Sequence, residues 1–301
     1  MASGSSGDSS GRGKIIHPLI YEICDNIRQE YDKPAPQWTN TMPGRQEMMY
    51  IRGEVAEHSD FDQLGLRRQI IDSYDDDIYD LAVRECEHGR VLAFIQNESF
   101  LNDIPWELWA RIMRAFSLHG KLKFTVYFLA HPSIRQFPEG APIEPMHING
   151  GYTVPCQGHG VVIYRAEDAT RVLIHELFHA SCTDNPSLGV DNMEAETEAW
   201  AELFYCAFIG RGIPYIVRDW IGRQAEWMRQ QNEKVAAVIP SPKAFPWRYT
   251  IGKQEVWERW GIFAPNAGGP PIRVGQSLRL TLEPPLIIKT REGVSPFSSV
   301  L

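Results

Sequence analysis

The chain predicts an α+β fold with a mixed sheet, and three observations carry that prediction. Gly160-Val161-Val162-Ile163-Tyr164 and the alternating residues 121–130 are β-branched or aromatic runs of strand length. Residues 15–31 and 216–238 read as long helices. Between them, the strand at 160–164 runs into a helix carrying His175 and His179, and a carboxylate-rich helical segment at 191–205 follows.

In chain order, the helix at 15–31 is amphipathic and is closed by Pro34-Ala35-Pro36. Residues 37–64 read as irregular with one short strand, and 67–88 as a second helix with Asp75-Asp76-Asp77 on its solvated side. A strand at 91–95 and a tryptophan-bearing helix at 104–118 come next. The segment Lys121-Leu122-Lys123-Phe124-Thr125-Val126-Tyr127-Phe128 alternates with period two and is the clearest strand. Ala166-Glu167-Asp168-Ala169-Thr170 suits a helix start, because carboxylates complement the positive end of the helix dipole. That helix runs to Cys182 and stops before Asp184-Asn185-Pro186. Residues 277–282 read as a final strand. The expected organisation is a Gly/Ser-rich tail at 1–14, one domain at 15–290 and a loose tail at 291–301. Within the domain, a helix-and-strand lobe (15–120) precedes a core (121–210) and a helical part (211–290).

Composition narrows the function classes. With 43% hydrophobic residues in 301, the chain can bury a sizeable core. A net charge of −8 does not indicate a nucleic-acid surface. The longest apolar run, 203–209, is far short of a membrane span, and the tail at 1–14 lacks an apolar signal core. Five widely spaced cysteines suggest no disulfide framework, so an intracellular setting is the expectation.

The chemistry is concentrated in His175-Glu176-Leu177-Phe178-His179, which fits HExxH. On a helix, residues four apart share a face, so both imidazoles can reach one metal ion. Glu176 follows the first histidine and can lean over an open coordination position to take a proton from water. Two imidazoles and a carboxylate match the catalytic preference of zinc, so one Zn²⁺ per chain is expected.

The third ligand sorts the families. An HExxHxxGxxH extension, or its Asp-ended relative, would need Gly at 182 and His or Asp at 185, where Cys182 and Asn185 stand. A glutamate from the segment at 191–205 remains. The arrangement resembles the gluzincins, the thermolysin-like HExxH…E metallopeptidases, over residues 172–202. The resemblance implies a zincin-like fold with an active-site helix and a downstream glutamate helix. It also implies Glu198 as third ligand, since Ala201 and Glu202 follow it in the family's pattern. Glu202 would then hold a histidine ring from behind. Glu194 is the alternative ligand, because 194, 198 and 202 share one helix face.

Upstream, the segment around His147, Gly150, Gly151 and Tyr152 is a candidate substrate wall, the glycine pair permitting close approach of another backbone. His147 or Tyr152 could donate to a developing oxyanion. The expectation is a zinc-dependent hydrolase acting on peptide or protein substrates, with Glu176 as general base. The other reading is a non-catalytic binding or structural protein that retains the fold and the metal site.

Overall fold

The computed structural model describes residues 17–118, 120–239, 243–265 and 271–282, so the tails expected at 1–14 and 291–301 lie outside the described residues. Helix α1 (Pro18–Asp32) starts with a proline in its first turn, and the His17 ring accepts from Leu19 N–H at 3.3 Å. Strand β1 (Thr39–Thr41) and helix α2 (Arg45–Ala56) occupy the stretch expected to be irregular. The start of α2 is held by Glu47, whose carboxylate accepts from Gly44 N–H at 2.6 Å. Only Ile51 and Val55 of α2 are fully buried, so its apolar stripe is too thin to announce a helix.

Helix α3 (Leu66–Asp75) is shorter than the expected helix at 67–88. Three consecutive acids meet the negative end of its dipole, and Asp77 turns into the left-handed region at φ 58°. The rest of that stretch is strand β2 (Asp80–Cys86), which forms a hairpin with β3 (Gly89–Ile95), Cys86 pairing with Gly89. Helix α4 (Trp106–Phe116) crosses over to β4 (Phe124–Leu129), parallel to β3. A one-turn helix α5 (Pro145–Ile148) and a two-residue strand β5 (Gly151–Tyr152) precede β6 (His159–Ile163). The helices α6 (Ala169–Ala180), α7 (Val190–Ile209), α8 (Pro214–Val238), α9 (Phe245–Tyr249) and α10 (Ile251–Arg259) complete the order.

The six strands form one mixed sheet in the order β1-β2-β3-β4-β6-β5. The central pairs are parallel, while β1, β2 and β5 run antiparallel to their neighbours. Val91, Ala93, Phe128, Val161 and Ile163 point to the face covered by α1, α4, α6 and α7. Leu92, Phe94, Tyr127 and Val162 point to the face covered by α2 and α3. The central strands are therefore buried on both sides, as their unbroken apolar runs require.

Residues 277–282 make a single bridge, Ser277 to Gln136, rather than the expected strand. They thread through the interior instead. Leu280 N–H donates to Asp168 Oδ2 at 3.1 Å, and its carbonyl accepts from Lys253 Nζ at 2.8 Å. No helix among the described residues is long and apolar enough to cross a membrane.

Candidate metal centre

Every residue of α6 is buried, so the HExxH helix lies inside the molecule between the sheet and α7. The Nε2 atoms of His175 and His179 approach to 3.1 Å, as two rings one turn apart on a helix can. Helix α7 passes in the opposite sense, so that Arg171 meets Glu198 and Glu202 while His179 meets Glu194. Glu194 closes the set: Oε2 lies 3.4 Å from His175 Nε2 and Oε1 lies 3.6 Å from His179 Nε2. Donors at the corners of a tetrahedron with bonds of about 2.0–2.1 Å stand about 3.3 Å apart. The three separations fit a single divalent ion, and this is the one such cluster of three among the described residues.

The geometry corrects the expected third ligand by one helical turn. Glu198 sits behind His175, its Oε1 3.0 Å from Nδ1 in ion-pair range though misaligned for a hydrogen bond. The other Glu198 oxygen meets the Arg171 guanidinium. Glu202, expected behind a histidine, is among neither ring's partners. It accepts from Thr281 Oγ1 at 2.9 Å and Lys253 Nζ at 3.1 Å. The three carboxylates share a helix face, so spacing alone could not tell which of them faces the Nε2 atoms. Asp184, which read as part of a helix stop, lies 2.8 Å from His179 Nδ1 and fixes that ring.

These buried groups shift one another's proton affinities. Burial opposes charge on His179, but its hydrogen bond to Glu194 and the charges of Glu176 and Glu194 outweigh burial and raise the imidazole to about 9. Burial depresses His175 to about 4, with the His179 cation adding to the effect and Glu194 opposing it. Burial would raise Glu194, yet hydrogen bonds from both histidines hold it well below the usual carboxylate range. Burial, reinforced by the charge of Glu194, lifts Glu176 to about 8.

A cavity of about 230 Å³ opens over the triad, and Glu176, Gly150, Gly151 and Tyr152 line it. His147 does not; its ring accepts from Glu144 N–H at 2.9 Å and caps α5. Tyr152 contributes its ring but not a free hydroxyl, which donates to Glu54 Oε2 at 2.7 Å and accepts from Arg67. The phenol in the cavity that sequence reasoning missed is Tyr249, whose ring centroid lies 6.4 Å from that of His175. Burial, then the nearby Glu194 charge, pushes this phenol far up, so it stays a neutral donor.

Gly151 is where the sheet touches the helix. A Cβ there would stand 2.6 Å from Val172 Cγ1, 2.9 Å from the Val162 carbonyl and 3.3 Å from Glu176 Oε1. Only glycine lets the edge strand approach Glu176 this closely. Gly150 C=O accepts from Tyr164 N–H at 2.8 Å, and Tyr152 pairs with Val162. The antiparallel alternation therefore turns the N–H and C=O of Gly151 to the unpaired edge of the sheet.

Cys156 and Cys182 are joined by a disulfide, which corrects the expectation of none. The bridge ties the loop after β5 to the end of α6. Both backbone N–H groups donate to the His179 carbonyl, at 2.9 and 3.1 Å. Sequence spacing hides this pair, because only the fold brings residues 26 apart together. Comparisons with protein-family models, with curated proteins and with solved structures find no match for this chain.

Proposed function

We propose that this chain is a zinc-dependent peptidase of the gluzincin kind, with a zincin-like fold. The observation that carries the reading is the placement of Glu176 in the same cavity as the convergent His175, His179 and Glu194. Two imidazoles and a carboxylate suit zinc, and a purely structural site has no use for a buried carboxyl beside its open face. When bound, zinc would supply Lewis-acid polarisation of a substrate carbonyl and would acidify water.

The chain's own residues do the rest. Glu176, which lines the same cavity, takes a proton from the attacking water and returns it to the leaving amine. Tyr249 donates a hydrogen bond to the oxygen on which charge develops. The free N–H and C=O of Gly151 bond an extended substrate main chain at the sheet edge. Phe61, 50% exposed and stacked on Tyr152 at 5.7 Å, forms an outer wall against substrate side chains.

The test is paired. Purified protein should carry one zinc per chain, and Glu176→Gln should keep the metal while losing cleavage of a peptide library by about 10²–10⁴-fold. A parent protein without zinc, or a Glu176→Gln variant that cleaves as well as the parent, would refute the reading.

A further inference from the structure

We propose that the cavity wall formed by Arg135 and Asn149 is a carboxylate-binding subsite, which selects substrates presenting a carboxylate close to the cleaved bond. The proposal rests on the peptidase reading for its substrate but not for its anion. Arg135 is 1% exposed yet lines the cavity. Its Nε donates to the Ile148 carbonyl at 2.6 Å, and Nη1 reaches the Glu167 carbonyl and carboxylate, each at 3.3 Å. Its Nη2 has no acceptor among the described residues. That nitrogen lies against Gly150, where a Cβ would stand 2.1 Å away, so the absence of a side chain admits the guanidinium to the cavity wall.

Asn149 supplies the second donor. It is 7% exposed, lines the same cavity, and its Nδ2 is buried without a partner. Buried donors are nearly always satisfied in folded proteins, and a pair left open on one cavity wall calls for an acceptor from outside. Arg135 can only donate, and a half-turn of the Asn149 amide presents its unpartnered Nδ2 to the same acceptor, so the occupant accepts. A carboxylate does so with two oxygens, the geometry for which a guanidinium is suited.

The charges behind the wall agree. Glu167 and Asp168 lie 3.3 and 3.6 Å from Arg135 Nη1 and face that side of the guanidinium. Asp168 also lies 3.6 Å from Arg279. Arg165 adds a further buried cation whose hydrogen bonds go to neutral oxygens only, those of Asn149, Ser133, Ile134 and Met146. A carboxylate bound on this wall would meet Arg135 with Arg165 close by, in a setting where an uncompensated cation is costly.

The experiment uses the zinc-loaded full chain and matched peptides. Pairs differ by Glu against Gln at each position within two residues of the bond cut, or by a free against an amidated C-terminus. The carboxylate member of one pair should show kcat/KM about tenfold higher, the gain expected of one charge-assisted contact. Which pair responds tells a side-chain acid from a chain terminus. Arg135→Gln and the isosteric Asn149→Asp should each lower kcat/KM for that peptide about tenfold more than for its neutral partner. Asn149→Asp keeps the test alive if loss of the buried arginine prevents folding, which circular dichroism reports.

A calorimetric titration of the parent with glutarate, and with glutaramide as control, separates the two proposals. If no peptide is cut, glutarate binding that both variants abolish upholds the subsite although the peptidase reading has failed. Equal cleavage within every pair by the parent overturns the subsite. So does the absence of glutarate binding when nothing is cut.

Discussion

Glu198 Oε1 lies 3.0 Å from His175 Nδ1, on the side of the ring away from the Nε2 that faces His179 and Glu194. One helix thus presents Glu194 to the Nε2 atoms of the histidine pair and, a turn later, Glu198 to the far side of the His175 ring. The two should separate by metal titration. Glu194→Gln is expected to retain no zinc after desalting, whereas Glu198→Gln should bind it about 10–100-fold more weakly. Zinc kept by the first variant and lost by the second would reverse the roles.

Gly151→Ala should destabilise the protein. Its Cβ would press on Val172 and on the Val162 backbone, and such overpacking costs about 1–3 kcal/mol. Urea denaturation would read this as a lower midpoint at unchanged m-value. Peptide cleavage should fall too, because the displaced strand carries the free edge beside Glu176. A variant as stable as the parent would mean that β5 does not press on α6.

The Cys156–Cys182 bridge predicts a thiol count. Denatured protein without reductant should show three reactive thiols, those of Cys24, Cys86 and Cys206, and five after reduction. Closing a loop of 26 residues is worth about 3.5 kcal/mol on a chain-entropy basis, so reduction should lower the melting temperature by several degrees. Five thiols at the outset would exclude the bridge.

His131 gives the protein an acid limb of its own. Burial, with the charge of Arg165 beside it, depresses the imidazole from 6.5 to about 4. Its Nδ1 accepts from Ser133 N–H at 3.0 Å, which leaves the proton on Nε2, 3.3 Å from Gln69 Oε1. The folded-state value is below the unfolded one. The stabilisation is therefore complete above pH 6.5 and is lost as pH falls through 4, on the order of 3 kcal/mol in all. Denaturation midpoints at pH 7 and 4.5 should diverge less in His131→Gln than in the parent. An identical pH slope in both would rule this residue out as the source.

The parts of the fold and site that could be read in sequence are those whose signal is local. β4 and β6 were readable from period and β-branching, and the two histidines from their spacing on one face of α6. The β2–β3 hairpin was not, since Glu87-His88 is not a glycine- or asparagine-bearing turn and the acids before it mimic a solvated helix face. The choice between Glu194 and Glu198 depends on how far α7 slides along α6, a tertiary quantity that no spacing within α7 encodes. Tyr249, Arg135 and Asn149 reach the cavity from segments remote from the histidines. No motif links them, and their meeting in one cavity exists only in the folded chain.

Leu280 forms part of the cavity wall, and its backbone is tied to Asp168 at the start of α6 and to Lys253 on α10. Thr281, next along, is bonded to Glu202. The cleft therefore takes its wall from residues that leave the ribosome about a hundred positions after the histidines. At a translation rate of roughly 5–20 residues per second, several seconds separate synthesis of the histidines from completion of the cavity. Until then the nascent chain can carry its histidine pair without a finished cleft.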